Sequence, residues 1–156
     1  MAEYSPRINT SSRKVACFTR RYLARRFEYP FSLALSTRNY LLLDFDCPED
    51  LKTAFEEARA IAEAFVEQYG GQADIWRTPH GYHLFFKRWF TWKEVRRHIA
   101  SLLQDVRQGV FKCLDERHLE ASLRRGYLTL RLSQLYKVAE VRLINGGVRT
   151  YVIRNP

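Results

Sequence analysis

Asp44-Phe45-Asp46 is the segment of this chain best equipped for chemistry. It closes an apolar run, Tyr40-Leu41-Leu42-Leu43, of the kind expected of a strand buried on both faces. Side chains alternate along a strand, so both carboxylates emerge on one face and Phe45 on the other. Positions two apart on a strand are separated by about 7 Å, close enough for two carboxylates to share one or two hard cations. Oxygen ligands of this type favour magnesium or manganese. Two such cations clamp the attacking and leaving oxygens in phosphoryl transfer. The same acids also suit the start of a following helix, where negative charge is stabilised. A lone Asp-x-Asp does not choose between the two uses.

A second group of residues lies in Trp76-Arg77-Thr78-Pro79-His80-Gly81-Tyr82-His83, which joins two expected strands. His83 can donate a hydrogen bond to a phosphate oxygen. Arg77 and Lys87 are near enough in sequence to add positive charge, and His80 sits in the turn between the strands. Gly81 allows the backbone to come close to a ligand. A core histidine with satisfied hydrogen bonds is the plainer reading of His83, and a turn residue that of His80.

These groups need a scaffold, and the hydrophobic pattern supplies one. Strands are expected from Phe31 to Leu35 and from Asn39 to Asp46. Pro48 takes the first position of a helix, with Glu49 and Asp50 in its first turn. Leu51, Ala54, Phe55, Ala58, Ile61, Ala62, Phe65 and Val66 carry the helical period, and Gly70-Gly71 ends it. Short strands follow at Ala73 to Arg77 and Tyr82 to Arg88. Thr91 and Glu94 form a capping box for a helix reaching about Arg107. Residues 110–126 carry no decisive pattern, although Val110 to Leu114 can form a strand. Tyr127 to Leu132 alternates like a strand, and Ala139 to Ile144 with Val148 to Ile153 reads as a hairpin turning at Asn145-Gly146-Gly147. From residue 40 onward the order is strand, helix, strand, strand, helix, strand. That is the α+β, ferredoxin-like or RRM-like βαββαβ pattern, which puts the end of the first strand at the sheet's centre. Many functions share this fold, so the fold alone decides none of them.

Composition narrows the field. A chain of 156 residues suits one domain, here residues 31–156 behind a basic arm and short helix at residues 1–30. Within that arm Arg20, Arg21, Arg25 and Arg26 alternate with Phe18, Tyr22, Leu23 and Phe27 at helical spacing, giving a basic face suited to a template backbone or simply to water. The net charge is +9 and the isoelectric point about 9.7, and arginine outnumbers lysine. This is the footprint of nucleic-acid or nucleotide binding. Aromatic residues make up 14 %, enough for a few to stack on bases as well as fill a core. No apolar run spans a membrane and no signal-peptide core is present, so a soluble, cytoplasmic protein without membrane partners is expected. Cys17, Cys47 and Cys113 lie far apart and form no CxxC pair, which argues for reduced buried thiols and against structural zinc.

Taken together, Leu42-Leu43-Asp44-Phe45-Asp46 and Gly81-Tyr82-His83 resemble motifs I and II of the archaeo-eukaryotic primase superfamily. Thr78-Pro79 is similar to the lead-in of its primase-polymerase branch, and the resemblance covers about residues 38–133. It implies a palm-like core, two magnesium or manganese ions, nucleoside triphosphate substrates and a DNA or RNA template. The family's third motif, a hydrophobic residue followed by an acid, fits Leu114-Asp115 best, with Asp105, Glu116, Glu120 and Glu140 as rivals. On this resemblance Asp44, Asp46 and Asp115 are the catalytic metal ligands. His83, Arg131, Ser133, Lys87, Arg77 and His80 are the nucleotide-binding set, and Arg20, Arg21, Arg25 and Arg26 meet the nucleic acid. The chain is short for the family and lacks the zinc element of some members, which leaves open a need for a helicase or accessory subunit, or a loss of activity.

Two other functions fit the same expected fold. A replication-initiator or relaxase nickase would use a His-hydrophobic-His pair, but two residues separate His80 from His83. A non-catalytic RRM-like module would present aromatics such as Trp76, Tyr82 and Phe86 to nucleic acid.

Overall fold

The computed structural model describes residues 34–131 and 135–153. The expected arm with Arg20, Arg21, Arg25 and Arg26, the strand start at Phe31, and Ser133 lie outside the described residues. In chain order the elements are β1 (Ala34–Thr37), β2 (Leu41–Asp46), α1 (Leu51–Tyr69), β3 (Gln72–Arg77), β4 (Gly81–Phe86), α2 (Trp92–Arg107), α3 (Glu116–Arg125), β5 (Leu128–Arg131), β6 (Tyr136–Ile144) and β7 (Gly147–Val152). Among the described residues this is a mixed α+β architecture with three helices and two antiparallel sheets. One sheet has the order β2-β4-β3-β6-β7, and β1 with β5 forms a separate two-stranded ribbon. None of the described helices is long and apolar enough to cross a membrane.

Alternation gives the large sheet two unlike faces. Leu43 and Phe45 of β2, Leu84 and Phe86 of β4, Ile75 of β3 and Val141 of β6 are all buried on one face. Above them α1 brings Ala54, Ala58, Ile61 and Ala62, small enough for a helix to lie close to a sheet. The second helix adds Val95, Ile99, Leu102 and Leu103. His98 on α2 sits edge-on to Phe65 and Tyr69 of α1, joining the two helices. Each fully buried leucine or phenylalanine contributes roughly 1.5–3 kcal/mol to folding. Leu42 points to the opposite face and is also buried, as a two-sided apolar run requires, because α3 and the β1–β5 ribbon pack against β2.

Several local rules operate as the residues dictate. Thr91 and Glu94 form both bonds of the capping box on α2. Asn145 and Gly146, with φ of 50° and 77°, turn the β6–β7 hairpin through a conformation that favours that residue pair. The helix start after β2 is shifted from expectation. Asp50 is the N-cap of α1, accepting from the Thr53 amide at 3.1 Å, so Pro48 and Glu49 lie in the turn before the helix rather than within it. Val110 to Leu114 forms no strand; only Leu114 bridges to Phe45. The following α3 is short and built mostly of polar residues, which is why residues 110–126 carry no decisive pattern.

Strand order also departs from expectation. β2 stands at the edge of its sheet, not at the centre, and β5 hydrogen-bonds β1 rather than joining the sheet. The close approach foreseen at Gly81 is to protein, not ligand. A Cβ there would fall 1.7 Å from the Phe45 carbonyl oxygen of β2. Gly81→Ala is therefore expected to pry β4 from β2 and to destabilise the fold by about 1–3 kcal/mol or more. Urea unfolding would check this, and a variant as stable as the parent would contradict the packing.

Candidate functional site

β2 ends in its two acids at an outer edge that a neighbouring segment completes. The Asp46 amide donates to the Cys113 carbonyl at 3.0 Å, and the Asp115 amide donates to the Asp44 carbonyl at 2.8 Å. This short antiparallel pairing sets Asp115 opposite Asp44 on the same face of the sheet. A helix residue holds the segment in place: the Glu57 carboxylate on α1 accepts from the amides of Lys112, Cys113 and Leu114. Further along the edge His118 of α3 donates from Nε2 to the Leu42 carbonyl at 3.0 Å. Burial holds His118 below its ordinary pKa, so it makes this bond as a neutral ring.

Asp44, Asp46, Thr78, His80, His83 and Arg131 line one cleft of about 210 Å³. Register explains the meeting of the first and second motifs, because Asp44 pairs directly with His83 and Asp46 with Gly81. The His83 Nε2 lies 3.3 Å from the Asp44 Oδ1. Its Nδ1 is buried and has no hydrogen-bond partner among the described residues. Asp46 is exposed at the mouth. Partial burial raises its carboxyl pKa first, and repulsion from Asp44, Asp115 and Glu49 raises it further, against the one opposing influence of His80. A group of acids that repel one another around an open cleft is an arrangement a divalent cation relieves. Asp44 and Asp46 fit such an ion. Among the described residues, however, no three His, Cys, Asp or Glu side chains converge closely enough to hold one.

The other expected site residues divide. Arg131 lines the cleft from β5, and His80 lines it from the β3–β4 turn. Asp115 shares the face of the pair, but its carboxylate caps α3, accepting from the Arg117 amide at 2.9 Å. Arg77 is corrected to a structural role. It lies on the helix-side face, stacks over Tyr82 and donates to the Gly81 carbonyl at 2.8 Å, holding the turn from behind. Lys87 is corrected as well. It follows β4 at the end remote from the cleft and pairs with the buried Asp74 of β3. His83 is not free to donate to phosphate from Nε2, because that nitrogen faces Asp44. Of the rival acids, Glu116 and Glu120 bond Arg107, and Glu140 bonds Lys137. Phe86 and Tyr82, considered as base-stacking residues, lie on the helix side, Phe86 fully buried and Tyr82 against Phe55.

Glu57, His118 and Asp74 went unnoticed in the sequence. Glu57 and His118 act on backbone from distant segments, which no local spacing reveals. Asp74 carried one usable signal, a charged residue between apolar neighbours in a short strand. Its buried carboxylate is matched by Lys87 and by Lys137 at 3.2 Å. Cys47 and Cys113, distant in sequence, are both buried and bring their thiols together behind the acids. No protein-family model matches the chain, no curated protein matches it, and no solved structure matches its fold.

Capping and charge can be separated at Asp115. Asp115→Ala should cost about 1 kcal/mol through loss of the cap, whereas Asp115→Asn, itself a good cap, should be nearly neutral in denaturant unfolding. Equal losses for both would show that the charge, not the cap, holds α3. Asp46 yields a pH prediction. Its pKa is raised on folding, so its ionisation opposes the folded state, and this penalty appears as pH rises through the raised pKa. Asp46→Asn should therefore melt at a higher temperature than the parent at pH 7. The gain should vanish on acidification below the unfolded aspartate value of about 3.9. A gain independent of pH would refute the assignment.

Proposed function

We propose that the chain is a metal-dependent, template-directed nucleotidyltransferase of the primase or primase-polymerase kind, built on a ferredoxin-like palm. Support for the palm comes from the run β2-α1-β3-β4-α2, with β4 between β2 and β3 and both helices on one face. The fourth palm strand would be β5, which packs beside β2 while bonding to β1. The observation that carries the functional reading is the sharing of one cleft by Asp44, Asp46, His83 and Arg131. A nickase is less well supported, since His83 is engaged by Asp44. The RRM-like module loses Phe86 and Tyr82 to the core side of the sheet.

In this mechanism Asp44 and Asp46 would hold divalent cations, magnesium or manganese, and Asp115 would add negative charge beside them. Bound there, the cations would activate a 3′-hydroxyl and neutralise the triphosphate and its pyrophosphate leaving group. His83 is a positioning residue: its Nε2 fixes one Asp44 oxygen and leaves the other for the cleft. Arg131, at the opposite wall, offers a bidentate donor to the triphosphate. His80, exposed at the mouth, is placed to add a further donor. Cys113, Asp115 and His118 bond the Asp46 amide and the Asp44 and Leu42 carbonyls on the β2 edge, so the acids sit on backbone that cannot shift without breaking those bonds. Substrates are then NTPs or dNTPs, on a DNA or RNA template.

The test is incorporation of labelled nucleotide on primed and bare templates in the presence of manganese. Asp44→Ala combined with Asp46→Ala should lower it by about a thousandfold or more, given the several kcal/mol that metal charge lends a phosphoryl-transfer transition state. Incorporation that survives the double substitution would overturn the proposal.

A further inference from the structure

The face of the large sheet that carries the acids continues well beyond the cleft. Register traces it from strand to strand. Asp44 pairs with His83 and His83 with Trp76. Asp74, two residues before Trp76, pairs with Glu140, and Glu140 pairs with Tyr151. Gln72 pairs with Arg142, and Arg142 with Arg149. Arg142, Arg149 and Tyr151 therefore emerge on the side of Asp44, away from α1 and α2.

Their arrangement is unusual for a surface left to water. Arg142 and Arg149 stand directly opposite each other on neighbouring strands, where like charges destabilise a sheet. Arg142 is steadied by Glu140, 3.5 Å from its Nε, and its guanidinium lies 4.8 Å over the Tyr151 ring. Arg149 is exposed, and among the described residues no carboxylate pairs with it. Tyr151 is 42 % exposed. An anion between the two arginines would turn their repulsion into attraction. An unpaired base can stack on the tyrosine ring that Arg142 already braces. Phosphate and a flat aromatic face, repeated at short intervals, belong to a nucleic-acid strand whose bases are unpaired. An acidic peptide offers the charge without the faces.

We propose that Arg142, Arg149 and Tyr151 on the β6–β7 hairpin form a binding site for single-stranded nucleic acid. As the path of a template it rests on the cleft reading above, while binding itself does not. Four strand spacings separate β2 from β7, roughly 19 Å, a few nucleotides of an extended single strand. The hairpin would thus hold the strand several nucleotides away from the one at the acids. It adds a contact that does not depend on the basic N-terminal arm.

The experiment is fluorescence anisotropy with labelled thymidine and uridine 20-mers and a duplex of equal length, using the full chain in chelator. Arg149→Glu with Tyr151→Ser should weaken single-strand binding about tenfold or more. Loss of Arg149 should flatten the salt dependence by about 0.7 in logarithmic slope. Tyr151→Phe, which keeps the ring, should bind as the parent does. Should the double variant fail to fold, as seen by thermal melting, Tyr151→Ser alone decides. Better binding of thymidine or uridine would assign the strand as DNA or RNA. Unchanged affinity in the folded variants, tighter binding of duplex, or no binding by the parent would each overturn the inference. If the hairpin variants lose binding while no chain incorporates nucleotide, the binding site stands and the cleft reading falls.

Discussion

The structure depends on how the outer edge of β2 is closed. An edge strand exposes unpaired amides and carbonyls, and here that strand also carries the acids on which the candidate site rests. Residues 113–115 pair with it over its last three positions, and His118 takes the Leu42 carbonyl. Glu57 makes this possible by binding three consecutive amides of the closing segment from α1. A charged acceptor on backbone donors forms stronger bonds than a neutral one. One glutamate thus fixes the segment, the segment fixes Asp115 and the start of α3, and α3 covers Leu42. A β2 edge left open would be free to pair with another chain.

That closure gathers negative charge at the end of β2. Asp115 comes to stand opposite Asp44, and Asp46 is repelled by both. Folding tolerates the arrangement because the buried apolar run behind it is strong and because His83 offers Asp44 a partner. Elsewhere the same sheet resolves its buried charge differently. Asp74, fully buried, is surrounded by Lys87 and Lys137 and bonded to Gln72 at 2.8 Å. One carboxylate is compensated and the others are left facing a cleft. Residues held against the interests of stability are where function is usually found.

Periodicity made much of this legible. The buried run through Leu43, the long helix α1, the capping box on α2 and the Asn145-Gly146 turn all follow from rules that act within a few residues. So did the meeting of Asp44 with His83, since both stand near the ends of strands that a tight turn and a helix bring together. The misplacements share a cause. Arg77 and Lys87 are close to His83 in sequence, and that alone makes them look like its neighbours. A strand, however, sends Arg77 to the opposite face and carries Lys87 about 13 Å along its own axis. The edge position of β2 and the ribbon of β1 with β5 depend on which of several apolar strands meet, and alternation is silent on that choice.

The two faces of the sheet follow from one asymmetry in its sequence. Arg77 aside, β2, β3, β4 and β6 give their helix-side positions to apolar and aromatic residues, whereas the other set holds Asp44, Asp46, His83, Asp74, Lys137, Glu140 and Arg142. A sheet needs only one apolar face to fold, so the second set is free to take residues for other reasons. Charges placed there at random would bring both signs everywhere. Instead the acids cluster at β2, a compensated group occupies β3 and the near side of β6, and arginines dominate the β6–β7 end. A strand of alternating phosphates and bases has reason to lie along such a gradient, with its backbone drawn to the arginines. The acidic end repels phosphate unless cations are bound there. Binding across the face and metal at the acids would then reinforce each other, because each supplies the charge that the other lacks.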